Sequence, residues 1–311
     1  MRILFMGTPD FAVPSLARIQ EAGFPLCGVF CQPDRPKGRG HRLQMPPVKE
    51  MAVSLGIPVF QPDSLRDQAV LSEIAALNPD CIVVVAYGKL LPKAVLDIPK
   101  YGCINVHGSL LPRYRGAAPI QWAVIDGAEK TGVTTMYMAE GMDTGDMILQ
   151  RETEILPDET AGELFDRLKL IGADLLIETL LLVSEGRAPR IPQEDVLASM
   201  APILKKRDGA IDWTKPAQQI YRLIRGMNPW PSAYTEYQGK KLKIYKSRVV
   251  DRSGAPGTLL SEGGRLLVCC GTKALQLLEL QPENGKRMDG GSFLRGHPIK
   301  PGSRFTQPEN G

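Results

Sequence analysis

Asn105-Val106-His107 closes a strand-like apolar run, and Asp143 follows in the glycine-flanked segment Gly141-Met142-Asp143-Thr144-Gly145. In an extended strand successive side chains alternate faces, so Asn105 and His107 project together and Val106 opposes them. An amide, a titratable imidazole and a carboxylate suit acyl-group transfer. Two of them polarise a carbonyl, and the third orients the histidine or takes a proton. The glycines around Asp143 permit a tight turn that brings the carboxylate inward. Asp146 competes for the same part. Each residue taken singly also has an ordinary structural reading, as a strand-end hydrogen bonder, a turn asparagine or a turn-forming aspartate.

The elements that must position these groups follow from periodicity. Ile3 to Met6 reads as a first strand, Phe11 to Ala22 as a helix, Leu26 to Cys31 as a strand, and Val48 to Leu55 as a short helix. A brief strand at Val59-Phe60 and a helix from Leu65 to Leu77 come next. Cys81 to Ala86 is an apolar, β-branched run of the kind found in a buried central strand. Cys103 to His107 is the next strand, Val133 to Met138 and Met147 to Ile155 pair as a hairpin, and Ala161 to Leu182 is an amphipathic helix. Such alternation predicts an α/β architecture, a largely parallel sheet with helices on both faces. The pattern fades near Ala188-Pro189-Arg190-Ile191-Pro192. The expected division is therefore a first domain over 1–189, a linker over 190–208 and a second domain over 209–311. The second domain shows one helix, Ala217 to Met227, then short strands at regular turn spacing, which suits a small OB-like β-barrel with a frayed tail after Phe305.

The chain has 311 residues, six scattered cysteines without a C-x-x-C pair, and only three histidines, which are not spaced as a metal-ligand set. No metal is expected. No apolar run approaches the roughly 20 residues that span a bilayer, and the N-terminus reads as a strand rather than a leader. The expectation is a cytoplasmic monomer with no membrane contact.

Charge is divided unevenly. Residues 1–204 hold 19 Lys and Arg against 25 Asp and Glu, whereas residues 205–311 hold 19 against 9. A basic C-terminal third predicts an anionic partner, RNA before others. Lys241 and Lys243 share one strand face within the cluster Lys240 to Arg248, a stripe suited to a phosphate backbone. Arg35, Lys37, Arg39 and Arg42 fall in a segment rich in glycine and proline, Gln32 to Arg42. Exposed cations there fit phosphate binding, and the same composition equally fits a solvated surface loop. At the first strand-to-helix turn, Gly7-Thr8-Pro9 puts proline where a dinucleotide fingerprint needs its second glycine, which disfavours a nicotinamide dehydrogenase. Trp230, in Asn228-Pro229-Trp230-Pro231, reads as a packing anchor.

With Asn105, His107 and Asp143, the stretch Ser109-Leu110-Leu111-Pro112-Arg113-Tyr114-Arg115-Gly116-Ala117-Ala118-Pro119-Ile120 resembles the folate-dependent formyltransferases. The likeness runs from Met1-Arg2-Ile3 to Phe305 and is strongest to the tRNA-modifying branch. It implies transfer of a formyl group from 10-formyltetrahydrofolate to the α-amino group of methionine on initiator tRNA. It assigns catalysis to Asn105, His107 and Asp143 in preference to Asp146. It gives the folate site to Ser109, Leu110, Leu111 and Pro112 with Tyr87 as a wall, and makes Arg35, Lys37, Arg39 and Arg42 a clamp on the acceptor stem. Arg113 and Arg115 either meet the folate's acidic tail or pair with surface carboxylates. Formyltransferases of ribonucleotides or amino sugars, and formyl-folate hydrolases, carry the same trio but need neither the basic segment nor the basic barrel. A non-catalytic RNA-binding protein has no use for the trio.

Overall fold

Short β-branched runs of this chain become strands wherever both faces can be buried. The structure is a computed structural model that describes residues 1–37, 42–300 and 302–307, with the backbone alone at Lys37 and Arg42. Two compact units emerge. The first comprises Met1–Pro119, Lys130–Glu154 and Phe165–Pro202; the second comprises Ile120–Glu129, Ile155–Leu164 and Ile203–Gly311.

In the first unit the strands are β1 (Ile3–Gly7), β2 (Leu26–Phe30), β3 (Arg35–Lys37), β4 (Arg42–Gln44), β5 (Val59–Phe60), β6 (Cys81–Val85), β7 (Cys103–His107), β8 (Lys130–Tyr137) and β9 (Met147–Glu154). The helices of the same stretch are α1 (Val13–Glu21), α2 (Pro47–Ser54), α3 (Gln68–Ala76), α4 (Lys93–Leu96), α5 (Pro119–Asp126) and α6 (Ala161–Ser184). Seven strands form one sheet in the order β5-β2-β1-β6-β7-β8-β9. Pairing is parallel through β7, while β8 and β9 are antiparallel. The Rossmann-like expectation and the predicted hairpin are both met. β1 and β6 are buried along their whole length, as central strands must be.

The strand order reverses between β1 and β6, because β2 and β5 extend the sheet on one side and β6 and β7 on the other. Open α/β sheets bind ligands beyond the carboxyl ends of strands at such a reversal. Leu4, Met6, Ile82, Val84 and Cys103 pack in one cluster with Ile74 of α3 and Val95 of α4. By alternation Asn105 and His107 share the face of Cys103. Val106 faces the other way, toward Gly172 of α6, where an added Cβ would lie 3.0 Å from the valine methyl.

Three elements among residues 1–202 escaped periodicity. The basic segment contains a short antiparallel pair, β3 with β4, joining Arg35 to Gln44 and Lys37 to Arg42. Pro119 opens α5 at the helix start that proline favours. α4 is a single turn, too short to show a period.

The second unit carries α7 (Ala217–Gly226), β10 (Ala233–Tyr237), β11 (Lys240–Val250), β12 (Leu259–Glu262), β13 (Arg265–Cys269), β14 (Ala274–Pro282), β15 (Met288–Asp289) and α8 (Gly290–Gly296). The antiparallel order is β10-β11-β14-β13-β12, with β15 on β14. The tail is not frayed at Thr306. Thr306 pairs with Glu236 of β10, and Ser303 accepts from the Leu259 amide of β12 at 2.9 Å. Both sheet edges are thereby joined, and the exposed-edge problem of an open sheet is removed. Phe305 anchors this closure, 4% exposed and 5.6 Å from the ring of Trp213. The packing tryptophan is thus Trp213, whose Nε1 donates to Thr235 at 2.9 Å; Trp230 is 55% exposed, contrary to the sequence reading. Proline neighbours kept Trp230 in an exposed turn rather than an inward strand position.

Candidate active site

β7 ends with Asn105 and His107 on one face, and the loop after β8 returns Asp143 to meet them. The Asn105 amide donates toward Asp143 Oδ1 at 3.5 Å, and His107 Nδ1 stands 3.7 Å from Asp143 Oδ2. Asp146 points elsewhere and pairs with Arg190 at 3.4 Å. The three expected groups therefore converge, although His107 and Asp143 are separated by 35 intervening residues.

His107 and Asp143 are held by backbone. His107 is 6% exposed, and its Nε2 contacts the Tyr114 carbonyl at 2.9 Å. A carbonyl only accepts, so Nε2 carries a proton and Nδ1 is the exchangeable nitrogen that faces the carboxylate. Asp143 adopts φ +53°, a left-handed conformation tolerated by aspartate, and its Oδ2 accepts from the Gly116 amide at 2.8 Å. Gly116 has φ +118°, and a Cβ there would meet the Ala201 carbonyl at 2.7 Å, so only glycine fits.

The Ser109 to Pro112 segment is fixed from beneath. Thr134, fully buried on β8, donates to the Ser109 carbonyl at 2.7 Å and accepts from the Leu111 amide at 3.1 Å. Gln150 donates to the Leu111 carbonyl at 2.8 Å. With these backbone groups already engaged, the segment is rigid, and the half-buried Leu110 offers apolar surface. Arg115 is buried and pairs with Asp195 at 2.9 Å, whereas Arg113 is exposed and lies 5.2 Å over the Tyr114 ring.

A cleft of about 470 Å³ opens at the reversal of strand order. Its walls come from the ends of β1 (Thr8, Pro9), β2 (Gln32, Pro33) and β6 (Ala86, Tyr87, Gly88), and from the base of the basic segment (Arg35, Met45, Pro46). Tyr87 is 1% exposed; its carbonyl accepts from Thr8 at 3.0 Å and Gln32 at 3.1 Å. Tyr87 lines this cleft, and Ser109 to Pro112 lie beyond the end of the neighbouring strand β7. The base of the basic hairpin is anchored by Lys49, which donates to both Asp34 oxygens at 2.8 Å and to Gln61 at 2.7 Å. Those bonds, from Lys49 and then Gln61, hold the Asp34 carboxyl below its usual range. Arg39 lies outside the described residues, as do the side chains of Lys37 and Arg42.

On the barrel, the inward Leu242 and Ile244 leave Lys241 and Lys243 outward, as expected. Lys241 lies 4.1 Å over the Tyr234 ring. A register irregularity after Ile244 leaves Lys246 and Arg248 exposed.

Residues 1–180 match the formyl transferase family, and residues 203–298 match the formyl transferase C-terminal domain. The methionyl-tRNA formyltransferase of Agathobacter rectalis is 53% identical over 309 residues, covering 98% of this chain and 100% of that protein. That of Geobacter metallireducens is 51% identical over 98% of each chain.

The chain belongs to the methionyl-tRNA formyltransferases.

Solved formyltransferase structures share the fold at lower identity. The methionyl-tRNA formyltransferase from Clostridium thermocellum superposes with a TM-score of 0.55 at 16% identity, covering 80% of this chain and 94% of that one. HypX from Aquifex aeolicus, solved with tetrahydrofolic acid, gives 0.65 at 16% identity over 99% of this chain. The chain spans about half of HypX, 51% of its length. Among the described residues no group of histidine, cysteine or acidic side chains is placed to hold a metal ion, and no helix is long and apolar enough to cross a membrane.

Proposed function

We propose that this formyltransferase carries out its transfer with Asn105, His107 and Asp143. The reaction moves a formyl group from 10-formyltetrahydrofolate to the α-amino group of methionine on initiator tRNA. The observation that carries the assignment is the contact of one carboxylate with both other groups, Asp143 with the Asn105 amide at 3.5 Å and the His107 imidazole at 3.7 Å.

The amine forms a bond to the formyl carbon, the bond from that carbon to the folate nitrogen breaks, one proton leaves the amine and one reaches the leaving nitrogen. Asn105, and His107 when Nδ1 also carries a proton, stabilise the formyl oxygen as it gains negative charge; one such donor is typically worth about 2.7–4 kcal/mol. Because the Tyr114 carbonyl already sets the histidine's tautomer, Asp143 is free to receive the amine proton, directly or through water. This favours the proton-accepting role over the orienting one. No covalent enzyme intermediate is needed, since a free α-amino group has a pKa of about 7.7–8.0 and is nucleophilic when unprotonated.

Ser109, Leu110, Leu111 and Pro112 form the apolar floor for the flat pterin, and Tyr87 walls the neighbouring cleft. β6, whose end lines the cleft, and β7, which carries Asn105 and His107, are adjacent parallel strands. Arg35, Lys37, Arg39 and Arg42 contact phosphates of the acceptor arm, and Lys241 and Lys243 contact the same tRNA elsewhere. In this reading the catalytic domain is 1–189, the connection 190–208 and the tRNA-binding domain 209–311, in a cytoplasmic monomer. Formyl transfer measured with charged initiator tRNA, the same tRNA uncharged, and free methionine tests it. Product with charged tRNA alone supports the reading, and product with free methionine at equal efficiency overturns the tRNA requirement.

A further inference from the structure

The segment read as a linker does more than connect. Residues 191–201 run along both loops that build the catalytic site, within the first unit. Ile191 exchanges two backbone hydrogen bonds with Met147, at 2.9 and 3.0 Å. Further on, Ser199 accepts from the Arg115 amide at 2.8 Å, Ala201 donates to the Arg115 carbonyl at 2.7 Å, and the Ser199 hydroxyl accepts from the Tyr114 amide at 2.9 Å. Between these anchor points sits Gln193. Its Nε2 donates to the carbonyls of Asp143 and Gly145, both at 2.8 Å, and its Oε1 accepts from Arg115 Nε at 3.0 Å. The Arg115 guanidinium, 8% exposed, reaches Asp195 of the same segment with its other arm.

One side chain thus ties the backbone of Asp143 to the loop that supplies Tyr114 and Gly116. The tie matters because Asp143 sits at φ +53°, a conformation that persists only when its surroundings over-determine it. The Gly116 amide fixes the carboxylate end of Asp143, and Gln193 fixes the backbone end. We infer that Gln193 is a positioning residue for formyl transfer, holding the Asp143 turn in register with the His107 loop through its two amide hydrogen bonds.

This inference rests on the catalytic reading of Asp143. Gln193→Glu keeps the size of the side chain and an acceptor for Arg115, but sets an oxygen against two carbonyl oxygens. Gln193→Ala removes all three contacts. Misplacement of a catalytic group by about 1 Å costs roughly 10²-fold in rate, so both variants should lose about 10- to 100-fold in kcat. KM for folate and for tRNA should stay within about threefold, because Gln193 contacts neither binding surface assigned above. The same substitutions should have no further effect on the residual rate of Asp143→Asn, since there is then no carboxylate to position.

Single-turnover rates, both KM values and thermal midpoints of the three single and two double variants decide the matter. A kcat loss with preserved KM, abolished in the Asp143→Asn background, supports the inference. Wild-type kcat for Gln193→Glu and Gln193→Ala, with Asp143→Asn inactive, overturns it and leaves the catalytic trio intact. A lowered thermal midpoint or raised KM with unchanged kcat also overturns it, as a purely structural role would produce. Asp143→Asn at wild-type turnover would remove the catalytic reading itself, and the inference with it.

Discussion

The Tyr114 carbonyl accepts a hydrogen bond from His107 Nε2 at 2.9 Å, which leaves Nδ1 as the nitrogen turned toward Asp143. The main chain, rather than the carboxylate, therefore sets the tautomer of the imidazole. Asp143 then has one oxygen on the Gly116 amide and near Nδ1, and the other on Asn105. The carboxylate of Asp143 is common to both contacts, a hydrogen bond from Asn105 and a charge contact with His107, so the three should act as a unit.

Asn105→Ala and His107→Ala are each expected to lower kcat by at least about 10²-fold, the scale of losing one preorganised donor. Folate and tRNA binding should remain near normal. The double variant should lose little more than either single one, because groups acting as a unit are not additive. Steady-state kinetics beside equilibrium binding check this; a variant that keeps most of its turnover number counts against the assignment.

Thr134→Val should loosen the folate segment. The change leaves the Leu111 amide and the Ser109 carbonyl without their buried partner, at a cost of about 1–3 kcal/mol. Urea unfolding should show that loss, and the dissociation constant for folate should rise while that for tRNA holds. Equal weakening of both ligands would argue that the segment is not specific to folate.

Neutralising Arg39 and Arg42 should raise the apparent KM for tRNA and flatten its salt dependence. Each lost phosphate contact reduces the slope of log affinity against log salt by about 0.7–0.9. Titrations from low to moderate salt give the slope directly, and an unchanged slope would mean that these cations touch no phosphate.

Burial governs the thiols. It pushes Cys31 up to about 11, and Cys103 and Cys270 up to about 12, against an ordinary value of 9.0. All six cysteines are free and buried. A group whose pKa is raised by folding contributes stability that is complete below its unfolded pKa and is lost as pH climbs toward the folded one. Unfolding midpoints in urea should therefore be insensitive to these thiols up to about pH 9 and fall between about pH 9 and 12. Native protein should react slowly with a thiol reagent at pH 8, and unfolded protein at once. Rapid labelling of the native chain would contradict the burial.

The division between what was legible and what was not follows the range of the interactions. Alternation along Cys103 to His107 placed Asn105 and His107 on one face, because side-chain direction in a strand is a local property. Buried apolar runs gave β1 and β6, and regular turn spacing gave the antiparallel barrel, for the same reason. The resemblance in residues 109–120 brought in Asp143, which alternation alone did not separate from Asp146. Failures came where a segment's partners are remote. The β3–β4 pair hides in a glycine- and proline-rich stretch, Trp230 is exposed while Trp213 is the buried one, and Thr306 closes a barrel instead of fraying. Above all, residues 191–201 have no period to read, because apart from one 3-10 turn at Asp195–Leu197 their hydrogen bonds go to loops at residues 112–118 and 143–147. The sequence by itself determined which chemical groups are available and which strand face they share. Only the tertiary structure decided that Asp143 meets His107, that Tyr114 rather than Asp143 fixes the ring's tautomer, and that Gln193 ties the two loops together. The first and last of those contacts join residues dozens of positions apart, and no local pattern encodes such a distance.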